Sequence, residues 1–593
     1  MKTYLLLSIC LSFLAVAAAA KPNVVLVITD DQGYGDLACH GNEIIRTPAI
    51  DQLHSESIRF TDFHVSSTCA PTRGALMSGH WTNRAGPWHT IMGRSMLFQD
   101  NKTLADVFGA SGYSSGHFGK WHLGDNYPYR PEDRGFDEVV RHGGGGVGQT
   151  PDYWDNSYFD DTYFHNGTPR KYEGYCTDVF FGEAQKFMKT QAQAGKPFFS
   201  YISLNAPHSP MVCEEKYWKH YTEAPYNLPV KQAIFYGMIE NIDENVGKLR
   251  QWLADEGLAE NTIFIFMTDN GSASGSKIFN AGMRGAKGSA YDGGHRVPFF
   301  LHLPKAKQGR DMEQLSAHVD ILPTLVDLCG LNPIEAEYKL DGINLTPWIK
   351  DANTAQDTQR IIITDTQRVV DPVKWKNASV MNKQWRLVTN GDKRELFDMS
   401  VDPGQESNIA AENPQVVKQL EKNYEDWWQD ISPAFAKTTR IPIGVPHLEV
   451  VDLTAHDVIP PKGMPAWNQG HVRKGTFVHG IWALDIQQAG EYEIKVSRWP
   501  MESGLAMRDV APKGKETPGT GSFPEVQAKA LPIAKVSLEI AERQHSVTID
   551  EESKFATFKL NLPAGDFDLS ASFTLDNGKE IGVGYAYVKK LKD

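Results

Sequence analysis

Residues Asn23 to Asp31 read NVVLVITDD, five consecutive aliphatic side chains followed by a threonine and two carboxylates. A run that is apolar on both faces suits a central strand of a parallel sheet, covered above and below. The design recurs at Asn261 to Gly271, NTIFIFMTDNG, where an apolar run again ends in Asp269 and Asn270. Between them, PAIDQLHSESI from Pro48 and KQAIFYGMIENIDENVGKLRQWLADEG from Lys231 carry apolar residues at helical spacing. The second predicts a helix over about 231–254, with Gly257 just past its end. Strands alternating with helices indicate an α/β domain with a mostly parallel sheet. In such sheets the binding crevice lies beyond the C-terminal ends of the strands, where both acidic pairs fall.

The chain has 593 residues, too many for one ordinary domain, so two or three are expected. Charged residues make up 22% and hydrophobic residues 41%, the balance of a soluble globular protein. A net charge of -13 argues against a nucleic-acid partner, which calls for a basic face, but not against an anionic substrate in a local cationic pocket. The N-terminus, MKTYLLLSICLSFLAVAAAA, combines a lysine, a short apolar run and small residues up to Ala20. It reads as a signal peptide over residues 1–20, so export to the periplasm or the medium is expected. No later segment is apolar for long enough to span a bilayer. Beyond Cys10 there are five cysteines, an odd number for an exported protein, which leaves one without an intramolecular partner.

From about Arg360 the texture changes. RIIITDTQRV and WRLVTNGDKRELFDMSVDPGQESNIA are short strands with turn signals, and VVKQLEKNYEDWW is a helix. These predict a small α+β subdomain over 356–432 closing a catalytic α/β domain over 21–355. The Pro/Gly-rich stretch IPIGVPHLEVVDLTAHDVIPPKGMP points to a linker over 433–465. Period-two segments such as FATFKLNL, with the Asn577-Gly578 turn, predict an all-β sandwich over 466–593.

Asp30, Asp31, Asp269 and Asn270 offer only hard oxygen donors, which favours Ca²⁺ or Mg²⁺ over zinc. Cys69-Ala70-Pro71-Thr72-Arg73 has the form C-x-P-x-R, and Pro71 suits the first turn of a helix. With this motif the chain resembles the type I sulfatases of the alkaline phosphatase superfamily, whose corresponding cysteine is oxidised to formylglycine. The resemblance spans Asn23 to Trp428 through TDDQGYGD, CAPTRGALMSG, GYSSGHFGKWHLG, NAPHSP, TDNG, RGAKGSAYDGGHRVP and ELFDMSVDPGQESNIA, in that order. It implies a sulfatase-type α/β fold and sulfate ester hydrolysis by a hydrated aldehyde at residue 69. One hydroxyl attacks sulfur to give a covalent sulfo-enzyme, and the second expels sulfate.

The resemblance also implies the roles. Asp30, Asp31, Asp269 and Asn270 would hold one Ca²⁺, rather than Mg²⁺, with the residue-69 oxygen completing the shell. Arg73 would hold the diol, with Lys120 and His122 beside it and His122 acting as base in the elimination. His208 would protonate the leaving oxygen, and Lys287 would bind sulfate. Further partners implied are a sulfated carbohydrate, such as an algal glycan, and a formylglycine-generating or equivalent maturation enzyme. Three positions depart from the usual pattern: Thr72 for serine, His80 for arginine, and Phe118 for a smaller residue.

HGGGGVGQ, His142 to Gln149, lacks the lysine of a phosphate-binding loop and does not follow a clear strand, so it is expected to be a mobile loop. It would shape the substrate pocket together with Trp88, His89, Arg94, Arg141, His142, Tyr153 and Trp154. Two alternatives stay open. One is a phosphonate monoester or phosphodiester hydrolase using the same modified cysteine, and the other is a non-catalytic protein that binds sulfated glycans. The β domain could bind glycan, cover the active site or mediate assembly.

Overall fold

The computed structural model describes residues 21–335, 337–515, 517 and 526–592; the expected signal peptide lies outside the described residues. A ten-stranded sheet organises the first domain. Its centre is Thr262–Thr268, Asn23–Thr29, Phe198–Ser203 and Ser114–Gly119 in that spatial order, all mutually parallel. Glu138–Arg141 continues the parallel set beyond Ser114–Gly119, whereas Phe299–His302 runs antiparallel to Thr262–Thr268 on the other side.

The NVVLVIT run is fully buried because the sheet is covered on both faces. Val24, Leu26 and Ile28 join one core with Leu76 and Met77, while Val25 and Val27 face a second core with Phe180 and Met238. Each such side chain contributes on the order of 1.5–3 kcal/mol by leaving water. The helix expected near 231–254 is Val230–Asp255, and Gly257 follows it at φ 70°. It buries Ile234, Met238, Ile242, Val246, Leu249 and Leu253, a stripe at helical spacing.

The second unit is a four-stranded antiparallel sheet, Ile362–Asp365, Ala378–Met381, Trp385–Asn390 and Lys393–Asp398, covered by helix Pro414–Ile431. It is tied to the first by Arg386, which donates to Asp62 at 2.8 Å and to Asp292 at 3.2 Å, all three buried. Arg386→Ala strands two carboxylates in the interior. We expect a loss of about 3–5 kcal/mol, the usual cost of breaking a buried ion pair from one side, read by urea unfolding.

Two sheets, antiparallel except where Ile441–Ile443 pairs parallel to Ile481–Ile486, form the C-terminal sandwich. Ala556–Leu562 alternates buried and exposed residues along its whole length, as one face on the core and one in water requires. The linker expected over 433–465 is corrected here. Ile441–Ile443 pairs in the larger sheet and Val451–Thr454 in the smaller. The prolines and glycines that read as linker punctuate edge strands instead. The sandwich also docks closely: Met96 and Tyr129 of the first domain are part of its core cluster. The Tyr129 hydroxyl donates to Arg440 O at 2.7 Å.

Candidate active site

The parallel strands deliver the expected residues to one place. Asp30 and Asp31 follow Asn23–Thr29, Asp269 and Asn270 follow Thr262–Thr268, Lys120 and His122 follow Ser114–Gly119, and His208 lies beyond Phe198–Ser203. Cys69 is the first residue of helix Cys69–Ser78, and Lys287 comes from a long loop after Asn270. Oxygens of Asp30, Asp31 and Asp269 lie within 4.8 Å of one another, and the same holds for Asp30, the Cys69 sulfur and a His208 nitrogen. The Lys287 ammonium is 3.4 Å from Cys69 Sγ.

Three cations face these three carboxylates. Lys120 Nζ lies 2.6 Å from Asp30, Lys287 pairs with Asp31, and Arg73 reaches Asp269 at 2.8 Å through Nη2 and 3.1 Å through Nε. Arg73 also donates to Ser203 Oγ and Leu204 O, so its guanidinium is fixed and wholly buried. Burial would raise both aspartates; at Asp31 this is outweighed by Lys287 and His208, which hold its carboxyl well below the usual range. At Asp269 burial and the neighbouring Asp30 charge win, and the carboxyl is pushed up to about 7. Burial, and then Asp30, push the Cys69 thiol up to about 11, so as a thiol it is a poor nucleophile at neutral pH.

Both histidines have defined tautomers. His208 Nδ1 donates to Ser209 O at 2.6 Å, which leaves Nε2 facing Asp31 Oδ2 at 3.8 Å. His122 Nε2 donates to Thr90 O at 2.8 Å, and its Nδ1 lone pair has no hydrogen-bond partner among the described residues. Burial, then Lys287, lowers His208 to about 3; burial, then Lys120, lowers His122 well below its ordinary value.

A hard cation fits this donor set. Among the described residues, Asp30 Oδ1 and Asn270 Oδ1 are buried oxygens with no hydrogen-bond partner; Asp30 belongs to the carboxylate cluster, and Asn270 donates through Nδ2 to Asp31 at 2.9 Å. The three departures from the expected pattern lie in structural contacts. Thr72 donates to Ser66 O, His80 bonds Asn101 and stacks on Tyr338, and Phe118 packs in the core.

Two expectations are corrected. The glycine loop follows the strand Glu138–Arg141 and is buried. Gly143, Gly144 and Gly148 donate to Asp152, Asp125 and Asp152, and Gly145 donates to Gln149. A Cβ at Gly145 would lie 2.2 Å from the His122 ring, so glycine lets the loop pack flat against it. Of the residues expected to shape the pocket, Trp88 and Arg94 bond Val370 O, Arg141 pairs with Asp125, and Trp154 packs on Trp499.

Sequence reasoning missed what the sandwich contributes. His456, within the supposed linker, is buried with its ring 6.0 Å from that of His122. A cavity of about 650 Å³ opens at His208 between Gly146–Gln149 and a second wall that includes Trp467–Lys474. Nothing in TAHDVIPP or WNQGHVRK signals that these segments return to the catalytic domain.

Carboxylates, cations and a helix-start residue gathered at strand ends define a hydrolase of the alkaline phosphatase-like superfamily. The sulfatase family pattern matches residues 22–331, and the pattern for N-sulphoglucosamine sulphohydrolase, C-terminal, matches 286–430. The chain belongs to the sulfatase family and is a sulfuric ester hydrolase. It is 26% identical to arylsulfatase J of Mus musculus over 468 residues, 68% of this chain and 75% of that protein. With N-acetylgalactosamine-6-sulfatase of Canis lupus familiaris it shares 30% identity over 362 residues, 56% and 67% of the two chains. The crystal structure of Ps i-CgsB in complex with k-i-k-neocarrahexaose superposes with a TM-score of 0.63 at 28% identity, covering 69% of this chain and 92% of that one.

Proposed function

We propose that the chain is an exported sulfatase acting on sulfate esters of carbohydrates, with Cys69 converted to formylglycine and one Ca²⁺ at the strand-end carboxylates. The observation that carries the reading is that Asp30, His208 and Lys287 meet at the side chain of Cys69, with Asp31 and Asp269 clustered against Asp30. A similar protein solved with k-i-k-neocarrahexaose, and a relative named N-acetylgalactosamine-6-sulfatase, support a sugar substrate.

In this reading the hydrated aldehyde supplies two oxygens on one carbon, one to attack sulfur and one to expel sulfate. Bound Ca²⁺, held by Asp30, Asp31, Asp269, Asn270 and the residue-69 oxygen, would lower the pKa of the attacking hydroxyl and offset sulfate charge. Lys287, already against residue 69, binds sulfate oxygens, with Lys120 adding a second ammonium. Arg73, locked by Asp269 and Ser203, steadies the side chain that attacks. His208 would donate from Nε2 to the leaving oxygen as the imidazolium, its Nδ1–H held by Ser209 O, and the free Nδ1 of His122 can accept the hydroxyl proton in the elimination.

Mass spectrometry of the peptide Phe60–Arg73 from protein made with maturation machinery tests the modification. An aldehyde mass is expected; an unmodified thiol in fully active protein overturns the mechanism. Release of sulfate from a sulfated sugar, with no phosphate from a phosphonate monoester, separates the reading from its phosphorus-ester rival. His208→Ala is expected to slow sugar sulfates by about 10²–10⁴-fold, the usual range for a lost general acid, and an aryl sulfate much less. A phenoxide leaves without a proton and an alkoxide does not. Equal losses on both substrates would remove His208 from the leaving-group role.

A further inference from the structure

The cavity at His208 is built by two domains, and its far wall is clamped in place. Gln469 of the sandwich donates through Nε2 to the carbonyls of Gln149, Asp152 and Tyr153, and its Oε1 accepts from Asp155 N. The backbone adds Thr150 N to Trp467 O at 3.0 Å and Gln469 N to Gly148 O at 2.9 Å. The glycine loop is thereby held between His122 on one side and the sandwich on the other.

The cavity's charge runs against that of the whole chain. Among the described residues, four cationic side chains line it, Arg473, Lys474, Lys513 and Lys515, against one carboxylate, Asp155, in a protein of net charge -13. Asp155 is paired with Arg473 at 2.9 Å, and Lys515 donates to the carbonyls of Phe159 and Asp160. Lys474 is exposed, and the half-buried Trp467, whose indole meets the His471 ring at 5.4 Å, lines the same cavity, so an aromatic ring and a cation share one wall. That pairing suits a sugar ring that bears an anionic group: the ring covers the indole and the anion meets the ammonium.

We propose that the C-terminal sandwich is a working part of the substrate site: the Trp467–Lys474 wall binds the sugar next to the scissile sulfate and selects one carrying a second anionic group. The sugar is the leaving alcohol, since the cavity opens at His208, the group assigned to protonate it; the inference rests on that part of the proposed function. It narrows the substrate from sulfated carbohydrate in general to polyanionic oligosaccharide.

The test uses the full chain carrying Cys69→Ala, so that binding is measured without turnover. Calorimetric titration compares three disaccharides: a monosulfated one, a disulfated one, and a monosulfated one with a uronic acid carboxylate. One of the two dianions is expected to bind about tenfold tighter than the monosulfated sugar, the scale of one charge-assisted hydrogen bond, and which one identifies the anion. Adding Lys474→Ala should erase that preference, and Trp467→Ala should weaken all three sugars. Equal binding of all three, or a preference untouched by Lys474→Ala, overturns the proposal. In unsubstituted protein, Lys474→Ala should cost kcat/KM about tenfold more on the dianionic sugar than on an aryl sulfate. If unsubstituted protein releases no sulfate from any sugar, the carbohydrate sulfatase reading falls, while the Kd values still decide the subsite.

Discussion

Cys69→Ala protein, loaded with Ca²⁺, is expected to release no measurable sulfate, a loss on the order of 10⁴-fold or more as for other removed nucleophiles. Its fold should be unaffected, because Cys69 makes no disulfide among the described residues and alanine is tolerated at a helix start. Cys69→Ser separates this mechanism from ordinary nucleophilic catalysis. Serine has one oxygen, so it can take the sulfuryl group but cannot expel it; the expected product is a stable serine sulfate, seen as a mass increase on the peptide Phe60–Arg73. Multiple turnovers by the serine variant at the unsubstituted rate would rule out the need for a second hydroxyl.

Removal of the divalent ion should have the second largest effect. Treatment with a chelator is expected to abolish turnover, and Ca²⁺ to restore it. A bound ion would also stabilise the fold by mass action, about 2.7 kcal/mol at a hundredfold excess over its Kd. Its removal should therefore lower Tm by several degrees, a readout independent of activity. Asp30→Asn keeps the size of the side chain and removes its charge, and calorimetry should show weaker Ca²⁺ binding. Full activity after exhaustive chelation, with Tm unmoved by added Ca²⁺, would exclude the metal site.

Much of the fold was legible because the strands advertise themselves. NVVLVITDD and NTIFIFMTDNG are apolar on both faces, and their neighbouring positions in the sheet bring Asp31 and Asp269 together across 238 residues of sequence. The helix Val230–Asp255 was equally plain, since its buried stripe repeats at helical spacing and Gly257 ends it. The glycine loop was misread because glycines have no side chain with which to signal packing; it is rigid through backbone donors that only its tertiary partners Asp125 and Asp152 reveal. The cavity wall was illegible for a related reason. Its clamp at Gln469 contacts residues more than 300 positions earlier, and no local periodicity encodes a contact of that range.

The burial of Cys69 sets an order of events in the life of the chain. Its side chain is 2% exposed, inside a helix that packs under the central sheet. If Cys69 is oxidised as proposed, the enzyme that does so has to reach a side chain that the finished protein no longer presents. On that reading, oxidation of Cys69 has to come before the sheet closes over it. A parallel sheet whose strands come from residues 23 to 268 closes slowly, since its pairings wait on distant parts of the chain. That delay is the interval in which an inert thiol can become an active site.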